Sequence, residues 1–168
     1  MTWSDRIDIE LSGGCQCGAV RYHTTQRLDN AHLCHCRMCQ KAMGSFFAPL
    51  VGFPVESFKW TRGEPSVFMS SEHVQRGFCS QCGTPLFYRN LNNPRIGMTI
   101  GSLDHPELVV PRVQVGNESK MPYFTALATL PGDSTTEDDD HEDTPTIKAT
   151  NNQHPDHDTT EWQPRGTP

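Results

Sequence analysis

Along the first 132 residues, apolar positions recur at every second place in short runs. Ile7-Asp8-Ile9-Glu10-Leu11 alternates cleanly, and Ala19-Val20-Arg21-Tyr22-His23 less so. A period of two is that of a strand with one face buried. Phe46 to Val51, Ser57 to Thr61, Ser66 to Met69, Val74 to Phe78, Leu86 to Tyr88, Ile96 to Ile100 and Arg112 to Val115 share the extended reading, and Gly, Pro, Asn or Ser separates most of them. Arg37 to Met43 alone reads as a helix, of about two turns, because it lacks Gly, Pro and β-branched residues. The pattern predicts a mainly β domain with one short helix and long connections.

Charge and composition set its limits. The chain has 168 residues, with 14 Lys+Arg against 20 Asp+Glu. Residues 133–168 hold ten acidic residues and two basic ones, a charge of −8, which leaves +2 for residues 1–132. Ile147 is the one Leu, Ile, Val or Phe in that terminal stretch, so it lacks the apolar surface to offset chain entropy. A folded domain from Asp5 to Gly132 and an acidic disordered tail over 133–168 are expected, with His141, His154 and His157 solvated and Glu137 to Asp143 a solubilising charge run. A nearly neutral domain beside an acidic tail offers no basic footprint for nucleic acid. The longest weakly polar stretch, Phe46 to Val55, has ten residues and two prolines, so no membrane span is expected. The first residues show no apolar signal core, which points to the cytoplasm and to reduced thiols.

Reduced thiols turn attention to the seven cysteines, which an odd count prevents from all pairing. They form three clusters: Cys15-Gln16-Cys17, Cys34-His35-Cys36-Arg37-Met38-Cys39 and Cys79-Ser80-Gln81-Cys82. The first and third end in glycine, Gly18 and Gly83, which suits a tight knuckle whose N–H groups turn toward thiolates. Two knuckles give four sulfurs, so Cys15, Cys17, Cys79 and Cys82 are expected to hold a structural zinc in a closed tetrahedral site. In an extended segment Cys34 and Cys36 point the same way while His35 faces the other, and Cys39 swings back from a helical turn. Three ligands and one vacancy are the arrangement of a catalytic zinc. A second zinc is therefore expected at Cys34, Cys36 and Cys39, for two zinc ions per chain, unless His23, His32, His73 or His105 folds in to close the site.

Gly13-Gly14-Cys15-Gln16-Cys17-Gly18-Ala19-Val20, Cys34-His35-Cys36-Arg37-Met38-Cys39-Gln40-Lys41, Arg76-Gly77-Phe78-Cys79-Ser80-Gln81-Cys82-Gly83-Thr84-Pro85-Leu86 and the later Gly101-Ser102-Leu103-Asp104 resemble the glutathione-dependent formaldehyde-activating enzyme family, which is grouped with the centromere protein V domain. The resemblance covers roughly residues 10 to 124 and takes in all seven cysteines in order. It implies an Mss4-like, zinc-stabilised β architecture and the same division of cysteines between a structural and a reactive zinc. It also implies carbon–sulfur lyase chemistry on a small-molecule thiol–aldehyde adduct, with glutathione and formaldehyde as the type pair. Glutathione carboxylates would want cations, and Arg37 and Lys41 lie beside the ligands. Phe46 and Phe47 read as core, and Ser45, His35 and Asp104 are candidates for moving a proton.

Two other functions fit the same residues. A non-catalytic zinc-stabilised binding module is one, although an acidic tail would repel an acidic partner such as tubulin. A zinc or redox sensor is the other, in which Cys34, Cys36 and Cys39 release metal on oxidation.

Overall fold

A computed structural model describes residues 4–132 and 143–163. The run 133–142, most of the expected charge run with His141 in it, lies outside the described residues, as does 164–168. Ten strands form two sheets. The smaller sheet joins β1 (Arg6–Gly14), β2 (Arg21–Leu28) and β5 (Phe58–Arg62) in the order β1-β2-β5. The larger is built from β3 (His32–Cys34), β4 (Ala48–Pro54), β6 (Ser66–Ser71), β7 (Val74–Phe78), β8 (Pro85–Asn90), β9 (Arg95–Thr99) and β10 (Val113–Val115), in the order β10-β3-β4-β9-β8-β7-β6. Its pairings are antiparallel except β10 with β3, which is parallel. Helix α1 (Arg37–Met43) falls where the sequence predicts it, and ends on the left-handed Gly44.

The core lies between the sheets. Tyr22 of β2 is fully buried and packs against Phe53, Phe58 and Trp60, with its hydroxyl 2.7 Å from Ser102 Oγ. Leu86, Met98 and Val51 from the large sheet complete it. The four knuckle cysteines border this core, whereas Cys39 packs in a second small cluster with Ala48 and Leu50. Phe46 and Phe47 join Phe124 and Tyr123 in an aromatic group around His35.

Residues 143–163 depart from the disordered tail expected of them. Thr144–Thr150 is a second helix, α2, and the chain beyond it docks on the first cysteine knuckle. His154 is buried, its N–H donates to Gln16 O at 2.7 Å, and Trp162 Nε1 donates to Cys17 O at 2.6 Å. Asp158 accepts from Arg21 Nη2 at 2.7 Å, and Arg62 Nη2 donates to Thr159 O. The stretch is poor in aliphatic residues, so its apolar content does not announce this. It is held by one indole, one imidazole and two arginines, Arg21 and Arg62.

Candidate metal centres and the adjoining cavity

Two loops of matching construction bring four cysteines together. Cys15 N–H donates to Val20 O at 2.9 Å and Cys79 N–H to Thr84 O at 3.0 Å, each closing a knuckle. Gly18 and Gly83 turn the chain at φ of +73° and +78°, a region closed to most side chains. Gln16 N–H donates to Thr84 Oγ1 at 3.0 Å and ties one loop to the other. The sulfurs of Cys15 and Cys17 are 3.6 Å apart, and those of Cys17 and Cys79 3.8 Å. Four thiolates around one zinc at about 2.3 Å stand about 3.8 Å from one another, so the spacing fits the ion. Backbone N–H groups already face the sulfurs: Val20 reaches Cys15 Sγ at 3.3 Å and Gln81 reaches Cys79 Sγ at 3.4 Å. Burial pushes the Cys15 and Cys17 thiols up. Burial also opposes ionisation of Cys82, but the Thr84 hydroxyl and backbone donors outweigh it and bring that thiol down to about 6.

The second group forms where β3 runs into α1. Cys34 ends the strand, Cys36 stands just before the helix, and Cys39 lies one turn inside it. Gln40 ties this corner down, its Nε2 donating to His35 O at 2.7 Å and to Ser119 O at 2.9 Å. The sulfurs of Cys34 and Cys36 are 3.5 Å apart, and all three sulfurs lie within 4.8 Å of one another. No histidine, aspartate or glutamate among the described residues joins either cysteine group, so His23, His32, His73 and His105 do not close the site. A hydrogen bond from Cys34, and then Arg76, whose Nη2 donates to Cys39 Sγ at 3.5 Å, bring the Cys39 thiol down to about 5; Cys34 moves up. Each group could hold a metal ion, and a soft, all-sulfur donor set suits zinc.

The three-cysteine group opens onto a cavity of about 280 Å³, whose wall includes Leu50, Arg76, Tyr88, Asn90 and Arg95 from the large sheet and Met38 from α1. The spacing of apolar residues gave no sign of the side of this wall built by β7, β8 and β9, which stand 40 to 65 positions from Cys34. Arg37 and Lys41 do not line it. They border a separate shallow hollow with Phe46 and Tyr123, and Arg37 donates to Gln40 Oε1 at 2.6 Å. His35, fully buried, lies against Phe47 and Phe124 with Nε2 3.1 Å from Gln114 Oε1. Asp104 is engaged away from the cavity, accepting from Arg21 at 2.7 and 2.6 Å and from Ser12 Oγ at 2.5 Å. The motif Gly101 to Asp104 therefore serves the packing, Ser102 through Tyr22 and Asp104 through Arg21.

Among curated proteins, one from Phaeosphaeria nodorum named "Putative glutathione-dependent formaldehyde-activating enzyme" is 29% identical over 93 residues, which are 51% of this chain and 49% of that protein. The chain thus spans about half the length of that relative. A crystal structure of a Rhodobacter sphaeroides protein has a similar fold, with a TM-score of 0.52 at 21% identity over 62% of this chain and 99% of the other. The model of the family described as glutathione-dependent formaldehyde-activating enzyme matches residues 10–119, which take in all seven cysteines and the strands that carry the cavity wall. On that match, the chain belongs to the glutathione-dependent formaldehyde-activating enzyme family.

Proposed function

We propose that the chain is a zinc-dependent carbon–sulfur lyase that splits a thiol–aldehyde adduct of the S-hydroxymethylglutathione type, the reverse being addition of the thiol to the aldehyde. The observation that carries this reading is a group of three cysteines with no fourth protein ligand among the described residues, open to a cavity. Cys15, Cys17, Cys79 and Cys82 would hold a structural zinc. Cys34, Cys36 and Cys39 would hold the reactive one. Zinc at a site with a free position lowers the pKa of a thiol that enters it, which otherwise stands near 8.5, and so favours that sulfur as a leaving group.

The chain supplies the rest. Arg76 donates to Cys39 and favours its ionised form, and its guanidinium is held over the Tyr88 ring at 5.2 Å from the centroid. Met38 and Leu50 give the cavity an apolar side that limits water around the adduct. In lysis the carbon–sulfur bond breaks with its electron pair passing to sulfur. The adduct hydroxyl loses its proton, its oxygen becomes the aldehyde carbonyl, and the proton is returned to the released thiol or to solvent. Seven free thiols and no helix among the described residues long and apolar enough to cross a membrane accord with work in the reducing cytoplasm.

Zinc stoichiometry and turnover test the reading together. The wild type should bind two zinc per chain and release formaldehyde from S-hydroxymethylglutathione. Cys36→Ser should fall to one zinc, keep its cooperative unfolding and lose turnover, whereas Cys82→Ser should lose the folded domain. Full turnover by Cys36→Ser would falsify the assignment. Zinc release by mild peroxide without turnover of any thiol–aldehyde pair would favour a sensor instead.

A further inference from the structure

We propose that Arg95, with the amide groups of Asn90 and Asn30, fixes which thiol the cavity accepts by binding a carboxylate that the thiol carries away from its sulfur. The inference rests on the function proposed above and names the residues that select its substrate.

The cavity wall carries two guanidinium groups and no aspartate or glutamate. Arg76 is 9% exposed, with Nε donating to Ser70 Oγ at 3.1 Å and Nη2 to Cys39 Sγ. Arg95 lies at the start of β9, half-buried, and its side chain has no hydrogen-bond or ion-pair partner among the described residues. By contrast Arg21, buried like Arg76, is met by Asp104 and Asp158. Leaving a partly desolvated cation unpaired is costly, so a site of this kind gains by receiving an anion.

The charges indicate where that anion goes. Three thiolates and one divalent cation sum to −1, which Arg76 offsets through Cys39. Arg95 is then uncompensated. A neutral thiol or an aldehyde brings no charge to it, but a carboxylate does, and a guanidinium binds a carboxylate through paired N–H donors. Two amides that line the same cavity have their oxygens already engaged. Asn90 Oδ1 already accepts from Asn92 N–H at 3.0 Å, and Asn30 Oδ1 from Gly52 N–H at 2.8 Å. Each therefore has its NH₂ left over, and both residues line the cavity. The wall is a set of donors without a competing acid.

The experiment is calorimetric binding of S-methylglutathione, which has both carboxylates but no free thiol, to the zinc-loaded protein. Arg95→Gln should weaken binding about ten- to hundredfold, the range for a lost charge-assisted pair, with two zinc per chain and an unchanged unfolding midpoint. Arg95→Lys should recover part of it. The diethyl ester of S-methylglutathione should bind the wild type as weakly as the free acid binds Arg95→Gln. Arg37→Gln and Lys41→Gln should stay within about twofold of wild type, since neither lines the cavity. Equal affinity of Arg95→Gln and wild type, tight binding of the diester, or a large loss in Arg37→Gln or Lys41→Gln would each overturn the proposal. Because this readout needs no reaction, carboxylate-dependent binding without turnover would leave the Arg95 assignment standing and remove the lyase reading alone.

Discussion

Replacing Asp104 by asparagine isolates the contribution of the one ion pair among the described residues that is buried on both sides. Arg21 and Asp104 side chains are 3% and 5% exposed and meet through two hydrogen bonds. Asparagine keeps the volume but removes the charge, and it sets an NH₂ against one of the guanidinium donors. The cation is then left to Asp158, whose side chain is 57% exposed and therefore a weak, solvent-screened partner. Removing one member of a buried pair costs about 3–5 kcal/mol, and the residual help from Asp158 places this case near about 3. For a domain of this size that corresponds to a fall in Tm of about 10 °C. Thermal unfolding of the zinc-loaded protein, followed by circular dichroism at neutral pH, measures it. Zinc content should remain two per chain, because no thiol is touched. A companion Arg21→Met/Asp104→Leu variant should recover most of the loss, since apolar replacements remove both desolvated charges together. A shift below about 2 °C for Asp104→Asn would refute the reasoning, by showing that Arg21 finds water or another anion.

Two further outcomes concern the segment that closes over the first knuckle. Trp162→Ala removes the indole N–H bond to Cys17 O and the edge contact with His154, and should cost about 1–3 kcal/mol in urea unfolding. The same variant should release zinc from the four-cysteine site faster to a chromophoric chelator, while the three-cysteine site is unaffected. The pH dependence follows from His154, whose pKa is held below its ordinary value by burial first and by Arg21 next. The unfolded chain then takes up a proton near pH 6.5 that the folded chain refuses, so stability falls as pH drops from about 6.5 toward the folded-state value. Urea midpoints of wild type and His154→Gln should therefore converge on acidification, and a gap that widens would contradict this.

What could be read from the chain beforehand, and what could not, divides along physical lines. Short extended runs between turn residues locate β7 to the residue and most other strands to within a few, although β7 itself does not alternate in burial. The exception is β3, only three residues long and too short to show any period. The cysteine groups were legible because close spacing on a turn fixes which sulfurs can converge. The polar side of the cavity wall was not, since Arg76, Tyr88, Asn90 and Arg95 come from strands remote in sequence, and nearness to Cys36 and Cys39 misdirects attention to Arg37 and Lys41, which an intervening helical turn carries elsewhere. A signal was available at Arg76, three residues before Cys79 on a strand that must pass the second cysteine group. The docking of residues 151–163 was hidden for a different reason. Counting aliphatic residues measures one kind of burial, whereas Trp162, His154 and Asp158 attach through an indole, a ring and a charge.

The two sulfur groups share a ligand chemistry and differ in what surrounds it, and that difference underlies the roles proposed for them. Around Cys15, Cys17, Cys79 and Cys82 the compensating donors are backbone N–H groups and the Thr84 hydroxyl, fixed by the knuckles themselves. Trp162 and His154 then cover one of those knuckles, and a metal bound there would serve as a clip between the start and the middle of the chain. Around Cys34, Cys36 and Cys39 a side chain, Arg76, reaches Cys39 from a different strand while the Cys36 N–H serves Cys34, and the remaining side is open cavity. A three-thiolate centre with a divalent ion keeps one negative charge, which weakens its pull on a carbonyl oxygen and eases the departure of a thiolate. On the proposed function, delivery and release of a thiol would be the chemistry to which this centre is best suited, and Arg95 at the cavity wall would give it the means to choose which thiol.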